Sequence, residues 1–501
     1  MIAAVSWVPK GISKSVPAVA DPPSKEEIEE MIKNGVLERS GDCGSEEDDE
    51  DMDLDTSEHT DEVTQALAVA EALGRTPQNK QPATKFDDIT DGLKELDMDN
   101  YDDEDDGIQL FSKGLGDLYY ASNDADPYLK DKDDDDDDDS EELEDLTIKP
   151  KDAVIVCARN EDELSHLEVW IFEESVDGNS NKYVHHDIVL SAFPLCTAWL
   201  DCPLKGGETA GNFIAVGSME PSIEIWDLDI VDEVQPTVVL GGIVEKKKKK
   251  KKTKKTSTKY KEGSHTDSVL GLAWNKEFRN ILASAGADKV VKIWDVATAK
   301  CTITMEHHTD KVQAVAWNHH KPKVLLSGSF DRSVVMKDTT RTPNHSGWKW
   351  SVGADVESLA WDPHNSHSFV VSLEDGTIQG FDIRAVKDSA SDSKPSFTLH
   401  AHDKAACSVS YNPSVPNLLA TGSTDKMVKL WDLSNNEPSC IASQNPKAGG
   451  VFSLSFSGDS PFLLAIGGSK GNLEVWDTSS DAGVSRRFGN YSTQVVPHPE
   501  K

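Results

Sequence analysis

The sequence predicts an all-β protein, a seven-bladed β-propeller, on three observations. Five stretches share one spacing, in which an aromatic residue ends an apolar pattern and a second residue, usually Trp before Asp, follows 20 positions later. The segments around these residues are short and rich in β-branched residues, and turn residues separate them, as expected of antiparallel strands. The stretches recur every 43–50 residues, which is the length of one four-stranded propeller blade.

The repeat spacing identifies all seven blades and shows that the first one is split. The five regular pairs are Trp274 and Trp294, Trp317 and Lys337, Trp361 and Phe381, Tyr411 and Trp431, Phe456 and Trp476. A sixth pair, Trp199 and Trp226, is 27 residues apart because the loop over 205–212 is longer. The seventh pair is Trp7 and Trp170, separated by 163 residues. We therefore expect the first strand of blade one within residues 1–10, an insert over 11–150, the rest of the propeller over 151–492, and a tail over 493–501.

The net charge of −38 is concentrated in the predicted insert. Residues 11–150 hold 45 Asp and Glu against 12 Lys and Arg, so they carry −33 and the rest of the chain carries −5. Like charges at this density repel one another and prevent a core, so we expect this acidic insert to be largely disordered. Ser45, which precedes Glu46, Glu47 and Asp48, suits an acidophilic kinase and is a candidate phosphosite.

An apolar stretch interrupts the acidic insert. It contains Leu118, Tyr119 and Tyr120. An apolar patch within a charged, disordered segment is typical of a docking segment. Its target is either a partner protein or the bottom face of the propeller itself.

The Trp-Asp pairs resemble those of the WD-repeat family, and the resemblance implies a structural role for a recurring set of polar residues. Two blades contain a His, a hydroxyl residue, an Asp and a Trp at identical offsets: His265, Ser284, Asp288 and Trp294 in one, His402, Thr421, Asp425 and Trp431 in the other. In WD-repeat proteins such residues form a hydrogen-bonded tetrad that stiffens the blade. The same His, Asp and hydroxyl set invites a serine-hydrolase interpretation. Its recurrence around the ring, without a Gly-x-Ser-x-Gly elbow, argues against that interpretation.

No other pattern indicates chemistry. The sequence lacks a phosphate-binding Gly-x-x-x-x-Gly-Lys-Ser/Thr loop, a His-Glu-x-x-His motif and a calcium loop. We therefore expect no catalytic residues, no cofactor and no metal. Adjacent histidines, such as His185 and His186, are expected to point to opposite faces of a strand. The scattered cysteines are expected to be reduced thiols, and no membrane span is expected.

Basic residues form two groups, and the resemblance to the WD-repeat family implies that both lie on one face. A lysine tract lies between blades two and three, in the loop over 245–262, and is a candidate nuclear-targeting signal: Lys246, Lys247, Lys248, Lys249, Lys250, Lys251, Lys252, Lys254 and Lys255. A smaller group follows the turn aspartates: Lys289, Arg332, Lys426 and, at the equivalent place in blade seven, Lys470. In the WD-repeat family the links between blades lie on the top face. This second group is either a set of solvated turns or a basic ring that contacts RNA or an acidic partner.

Further motifs resemble one subfamily. The chain resembles the periodic tryptophan protein 1 family in several features taken together. They are the strand Val-Ser-Trp-Val-Pro at 5–9, the acidic insert, the stretches over 120–128, 183–195 and 223–232, and the lysine tract. That resemblance implies a nuclear and nucleolar protein of ribosome biogenesis, linked to large-subunit rRNA maturation or to rDNA chromatin and RNA polymerase I transcription.

These features favour a non-catalytic interaction scaffold in ribosome assembly. The alternative is a chromatin and histone-binding transcriptional regulator, because an acidic insert suits ribosomal proteins and core histones equally. Expected partners are such basic proteins, together with pre-rRNA or rDNA chromatin. The protein is expected to be monomeric within larger assemblies.

Overall fold

A computed structural model describes residues 1–20, 146–161, 164–174, 180–204, 210–244, 259–341, 347–385 and 394–491. These residues form the predicted seven-bladed propeller, and the innermost strands of successive blades pack against one another around the ring. We define the top face as the one with the links between blades and the turns between the second and third strands of each blade. The bottom face carries the remaining turns.

The strands of blades one to three follow the chain in order, apart from a short two-stranded sheet below the ring. Blade one consists of β1 (Ile2–Val8), β3 (Ala153–Glu161), β4 (Leu164–Glu173) and β5 (Asn181–Leu190). Blade two consists of β6 (Pro194–Leu200), β7 (Phe213–Ser218), β8 (Ser222–Asp227) and β10 (Val238–Gly241). Blade three consists of β11 (Val269–Trp274), β12 (Ile281–Gly286), β13 (Val291–Asp295) and β14 (Lys300–Met305). The short sheet pairs β2 (Ala18–Val19) with β9 (Ile230–Val231).

The remaining blades repeat the same order. Blade four consists of β15 (Val312–Trp317), β16 (Val324–Ser329), β17 (Ser333–Asp338) and β18 (Trp348–Ser351). Blade five consists of β19 (Val356–Trp361), β20 (Ser368–Leu373), β21 (Thr377–Asp382) and β22 (Phe397–His400). Blade six consists of β23 (Ser408–Tyr411), β24 (Leu418–Gly422), β25 (Val428–Asp432) and β26 (Ser439–Gln444), and blade seven of β27 (Val451–Phe456), β28 (Leu463–Gly468) and β29 (Glu474–Asp477). Short 3-10 turns occur at Ile383–Ala385, Ser434–Asn436, Thr478–Ser480 and Gly489–Tyr491.

The repeat spacing seen in the sequence corresponds to one row of cross-strand pairs in every blade. In blade three, Trp274 lies opposite Leu282, and Leu282 lies opposite Trp294. The same three-residue row is present in the other six blades, including Trp7, Ile155 and Trp170 in blade one. The spacing between the aromatic residue and the second residue of each pair is therefore constant, because both must lie in the same cross-strand row.

The structure shows blade one split as the sequence predicts. Strand β1 at the amino terminus pairs antiparallel with β3, although about 145 residues of chain separate them. Strand β1 also has the same local shape as other innermost strands. Its register shifts after the first residue, between Ile2 and Ala4, as it does after Val269 in β11 and Val451 in β27.

Strand β1 closes the ring by packing against blade seven. Ile2 is fully buried, and its Cγ2 would lie 2.5 Å from a Cβ added to Gly467 of β28, so a glycine is required there. Polar groups strengthen the same seam: the Val5 amide donates to Ser453 Oγ at 3.1 Å, and the Trp7 indole donates to the Ser455 carbonyl at 2.8 Å. Each indole of Trp317 and Trp361 likewise donates to a carbonyl of the preceding blade.

The two ends of the acidic insert are part of the folded structure, which corrects the expected boundary at 11–150. Beyond β1, β2 pairs with β9 in the connection between β8 and β10, and the Lys14 amide donates to Asp229. At the other end, the Ile148 amide donates to the Ser15 carbonyl at 2.8 Å. Both ends therefore leave the bottom face beside one another. Residues 21–145 lie outside the described part of the chain. They include Ser45, Leu118, Tyr119 and Tyr120.

Blade seven differs from the expected four-stranded blade. Within the described residues it has three strands, and the chain continues after β29 into helix α1 (Ala482–Phe488). Asp481 caps this helix by accepting hydrogen bonds from two backbone amides, and Val484 and Phe488 are buried. Arg487 forms an ion pair with Asp432, so the helix is held against blade six.

We predict that Ile2→Ala destabilises the whole ring by about 2–5 kcal/mol, because it removes a fully buried side chain at the closing seam. The matched control is Val16→Ala, on the same terminal segment, whose side chain is 49% exposed. The control should change the free energy of unfolding by less than about 0.5 kcal/mol. Equal effects of the two substitutions on chemical denaturation would contradict the role assigned to β1.

Candidate functional site: the two faces of the propeller

The predicted tetrads of blades three and six are hydrogen-bonded in the expected order. In blade three, His265 Nδ1 lies 2.9 Å from Asp288, His265 Nε2 lies 2.7 Å from Ser284 Oγ, and the Trp294 indole donates to the same Oγ at 2.8 Å. In blade six, His402, Asp425, Thr421 and Trp431 make the same bonds at 2.8–3.0 Å.

The tetrads have the properties of structural networks. Ser284 and Thr421 are fully buried, and each hydroxyl oxygen already bonds both an imidazole and an indole. Burial alone would raise the pKa of Asp288, but hydrogen bonds from His265 and from backbone amides outweigh it, so the pKa is lowered. A catalytic nucleophile must be accessible to its substrate. The hydroxyl in this position is buried and already bonded, so it does not meet that requirement.

Blade four contains a modified network that the sequence comparison of blades did not reveal. His308 bonds Asp331 and Ser327 as in the other tetrads, but Lys337 stands where the Trp would be. The neighbouring His307 supplies the missing ring, with its Nε2 2.8 Å from Ser327 Oγ. Burial, followed by the nearby His308 and Lys337, lowers the pKa of His307 to about 3, so this ring is neutral near pH 7.

Blades one and two use a carboxylate in place of the His and hydroxyl pair. The Trp170 indole donates to Glu168 at 2.9 Å, and the Trp226 indole donates to Glu224 at 3.2 Å. Burial raises the pKa of Glu224, although Ser191 and Trp226 donate to it. The sequence signal for this second network is a Glu two residues before the Trp, which lies outside the His, hydroxyl, Asp and Trp pattern of the tetrads.

The adjacent histidines do not point to opposite faces, contrary to the expectation. A bulge in β5 leaves His185 without a cross-strand partner, so the Nδ1 atoms of His185 and His186 lie 2.8 Å apart. Burial, followed by the charge of His185, lowers the pKa of His186 to about 4. Among the described residues, no group of three or more His, Cys, Asp or Glu side chains is placed to hold a metal ion.

Three of the four predicted basic residues occupy equivalent turns on the top face, and the fourth requires a correction. Lys289, Arg332 and Lys426 are exposed and have positive φ angles of 58–73° in the turn between the second and third strands. In blade seven Gly471, with φ of 80°, occupies this place. Lys470 instead stands where blades three to six have their turn aspartate.

Charge on the top face is unevenly distributed among the blades. Blade five carries Asp355, Glu357 and Glu374, and burial, followed by the charges of Glu374 and Asp355, raises the pKa of Glu357. Arg332 is directed to this group and lies 3.2 Å from Asp355. Blades six and seven present four exposed lysines on their links and turns, which we call the lysine patch: Lys404, Lys426, Lys447 and Lys470.

The lysine tract leaves the same face through a short paired stem. Ile243 and Tyr260 form an antiparallel bridge, and the Val244 amide donates to the Lys259 carbonyl at 2.7 Å. This stem lies in the link between β10 and β11. The targeting lysines from Lys246 to Lys255 lie outside the described residues.

A family model described as "WD domain, G-beta repeat" matches residues 256–295, 299–336, 393–432 and 438–477. These segments cover blades three, four, six and seven. The chain is 36% identical to an uncharacterized WD repeat-containing protein of Schizosaccharomyces pombe, over all of this chain and 93% of the relative. It is 29% identical to Periodic tryptophan protein 1 of Saccharomyces cerevisiae, over 92% of this chain and 84% of the relative.

The chain belongs to the periodic tryptophan protein 1 family. A further relative is the Periodic tryptophan protein 1 homolog of Drosophila melanogaster, which is 28% identical over 87% of this chain and 84% of the relative. Within the described ranges, no helix is both long and apolar enough to cross a membrane.

We predict that Ser284→Ala destabilises the propeller by about 1–3 kcal/mol, because it leaves the buried Trp294 indole and His265 without their shared partner. The matched control is Ser268→Ala, which removes only a solvent-exposed hydrogen bond, from the hydroxyl to the Met219 carbonyl. Thermal melting followed by circular dichroism measures both variants. A melting temperature for Ser284→Ala that equals that of the control would contradict the structural role of the tetrad.

Proposed function

We propose that this chain is a non-catalytic interaction scaffold in nucleolar ribosome biogenesis, acting in rRNA maturation and large-subunit assembly or in rDNA transcription. The observation that carries the proposal is that the two kinds of charged segment are attached to opposite faces. The lysine patch and the stem of the lysine tract lie on the top face, whereas both ends of the acidic insert leave the bottom face. Such an arrangement suits simultaneous binding of a polyanion and of basic proteins.

The lysine patch suits a nucleic acid. Its four ammonium groups extend from the links and turns of two adjacent blades, on exposed side chains. Phosphate contacts of this kind supply affinity that depends on salt and not on sequence. We therefore assign the patch to the backbone of pre-rRNA.

The acidic insert suits basic proteins. Its charge of −33 attracts them over a distance set by ionic strength, with a Debye length of about 8 Å at physiological salt. Attraction of this kind mainly raises the rate of association, and shaped surfaces supply the specificity. Ribosomal proteins are the proposed partners, and core histones are the partners under the alternative of a chromatin regulator.

The experiment is purification of the tagged full chain from cells, followed by measurement of the bound RNA, DNA and proteins. One variant replaces the four patch lysines with Gln. Its matched control replaces four exposed lysines of the bottom face with Gln: Lys276, Lys300, Lys321 and Lys323. The two variants change the net charge equally, so any difference between them reports on the position of the charge.

We expect pre-rRNA and ribosomal proteins to co-purify with the wild type and with the control. The patch variant should lose about tenfold or more of the RNA, because each lost phosphate contact lowers the salt-dependent affinity. Recovery of core histones and rDNA in place of pre-rRNA would establish the chromatin alternative. Equal RNA recovery from both variants would contradict the assignment of RNA binding to the lysine patch.

The lysine tract is proposed to direct the protein to the nucleus and nucleolus. Replacing the lysines of 246–255 with Gln in the same experiment removes this charge and leaves every blade strand unchanged. The tagged variant should be lost from the nucleolus on imaging. A variant that still concentrates there would place the targeting signal elsewhere in the chain.

A further inference from the structure

Seven equivalent side chains surround the top opening of the central channel. In six blades the register of the innermost strand skips one residue near its top end, four positions before the repeat residue that ends the strand. All seven are partly exposed, whereas the residue before each of them is buried. Because neighbouring blades cover the faces of each blade, the exposed part of these side chains borders the opening. In order from blade one to blade seven, the opening residues are Ala3, Leu195, Leu270, Gln313, Glu357, Cys407 and Phe452.

The opening is apolar on one side. Blades seven, one, two and three, which follow one another around the ring, contribute apolar opening residues, which we call the apolar arc: Phe452, Ala3, Leu195 and Leu270. Met219, in the top turn of blade two, extends this arc outward with a side chain that is 61% exposed. Its amide donates to the Phe193 carbonyl at 3.0 Å, and its carbonyl accepts from Ser268 Oγ at 3.0 Å. Exposed apolar side chains that are grouped in this way are typical of a binding surface.

The opposite side of the opening is acidic. Blade five is one of the two blades farthest around the ring from blade one, and its opening residue Glu357 is grouped with Asp355 and Glu374. Arg332 pairs with Asp355, but within the described ranges no Lys or Arg forms an ion pair with Glu357 or Glu374. A partly buried carboxylate that has like charges beside it is stabilised by an incoming cation. This side of the opening therefore suits a Lys or Arg side chain of a ligand.

The two sides of the opening together select one kind of ligand. A nucleic acid would bring phosphates beside Glu357 and Glu374, and these like charges would repel each other. An acidic protein segment is disfavoured for the same reason. A basic protein segment, by contrast, carries a cation and aliphatic side chains within a few residues of each other. The lysine patch on blades six and seven repels that cation, so it directs the cation toward blade five.

We propose that the top opening binds a short protein segment in which a Lys or Arg stands beside aliphatic side chains. The cation lies against Glu357 and Glu374, and the aliphatic groups lie on the apolar arc. This site uses no residue of the lysine patch or of the acidic insert. It therefore goes beyond the interactions proposed above, and its test does not depend on RNA binding or on the nucleolar assignment.

Selection from a library of random seven-residue peptides on the purified full chain tests this proposal. The selection is done in about 1 M salt, at which the Debye length is about 3 Å, so that the acidic insert does not retain peptides by charge alone. A partly buried charge such as that of Glu357 is screened much less. The selected peptides are then labelled, and fluorescence anisotropy measures their affinity for the wild type and for each variant.

Two variants change the opening: Glu357→Gln and Leu270→Asn. The matched controls make the same kinds of change at exposed residues of the bottom face: Glu277→Gln and Val234→Asn. Thermal melting shows whether each variant is folded. If Leu270→Asn lowers the melting temperature, Glu357→Gln decides the test alone, because it removes the charge and keeps the size of the side chain.

The selected peptides should combine a Lys or Arg with at least one aliphatic residue. Their affinity should fall at least about tenfold in both opening variants and stay unchanged in both controls. Selection of acidic peptides, or of peptides without this combination, would overturn the proposal, as would equal affinity for the wild type and Glu357→Gln. A dimer of the full chain in light scattering that Leu270→Asn dissociates would also overturn it, because a second copy would then cover the apolar arc.

Discussion

The pairing of β1 with β3 is the contact on which the rest of the ring depends. In a propeller each blade buries its faces only against its neighbours, so the first and last blades must meet before any core is complete. Here a seven-residue strand performs that closure, because it is the innermost strand of blade one and packs on blade seven. Because β1 precedes β3 in the chain, the closing strand is made before its partner, which follows more than a hundred residues later. A long loop of this kind costs little more entropy than a short one, since the cost of closure grows only with the logarithm of loop length.

The tryptophans of the repeat act in two different ways. On the innermost strands, the indoles of Trp7, Trp317 and Trp361 donate to carbonyls of the preceding blade and so connect blades, whereas those of Trp199 and Trp274 donate within their own blade. Indoles on the third strands, such as Trp294, donate to a polar group within their own blade. That acceptor is a hydroxyl in blades three and six and a carboxylate in blades one and two. In these four blades the third-strand indole always has an acceptor, and the chemistry of that acceptor varies from blade to blade.

Much of this fold was predictable, because the cross-strand rows impose a fixed spacing between the paired repeat residues. That spacing is visible in the sequence. The split of blade one was predictable for the same reason, since Trp7 and Trp170 match the pattern once the insert is removed. Lys470 was placed one position wrongly because blade seven has Gly471 at the turn, and only the backbone angles show which residue is equivalent. The contact of His185 with His186 depends on a bulge, and a bulge breaks the alternation on which strand reasoning rests. Helix α1 was not predicted because its buried residues, Val484 and Phe488, are too few to show a helical period.

The central claim is that the propeller is complete without the acidic insert and that the insert is attached to it at two neighbouring points. The hydrogen bond from Ile148 to Ser15 brings these two points together, so a short connection can replace the insert. The direct measurement is the thermal melting of a chain in which residues 21–145 are replaced by a flexible Gly-Ser linker of about ten residues. We expect one cooperative transition at the melting temperature of the full chain. A shortened chain that is soluble but lacks cooperative melting would show that the insert is needed to hold β1 in place, and it would contradict the account.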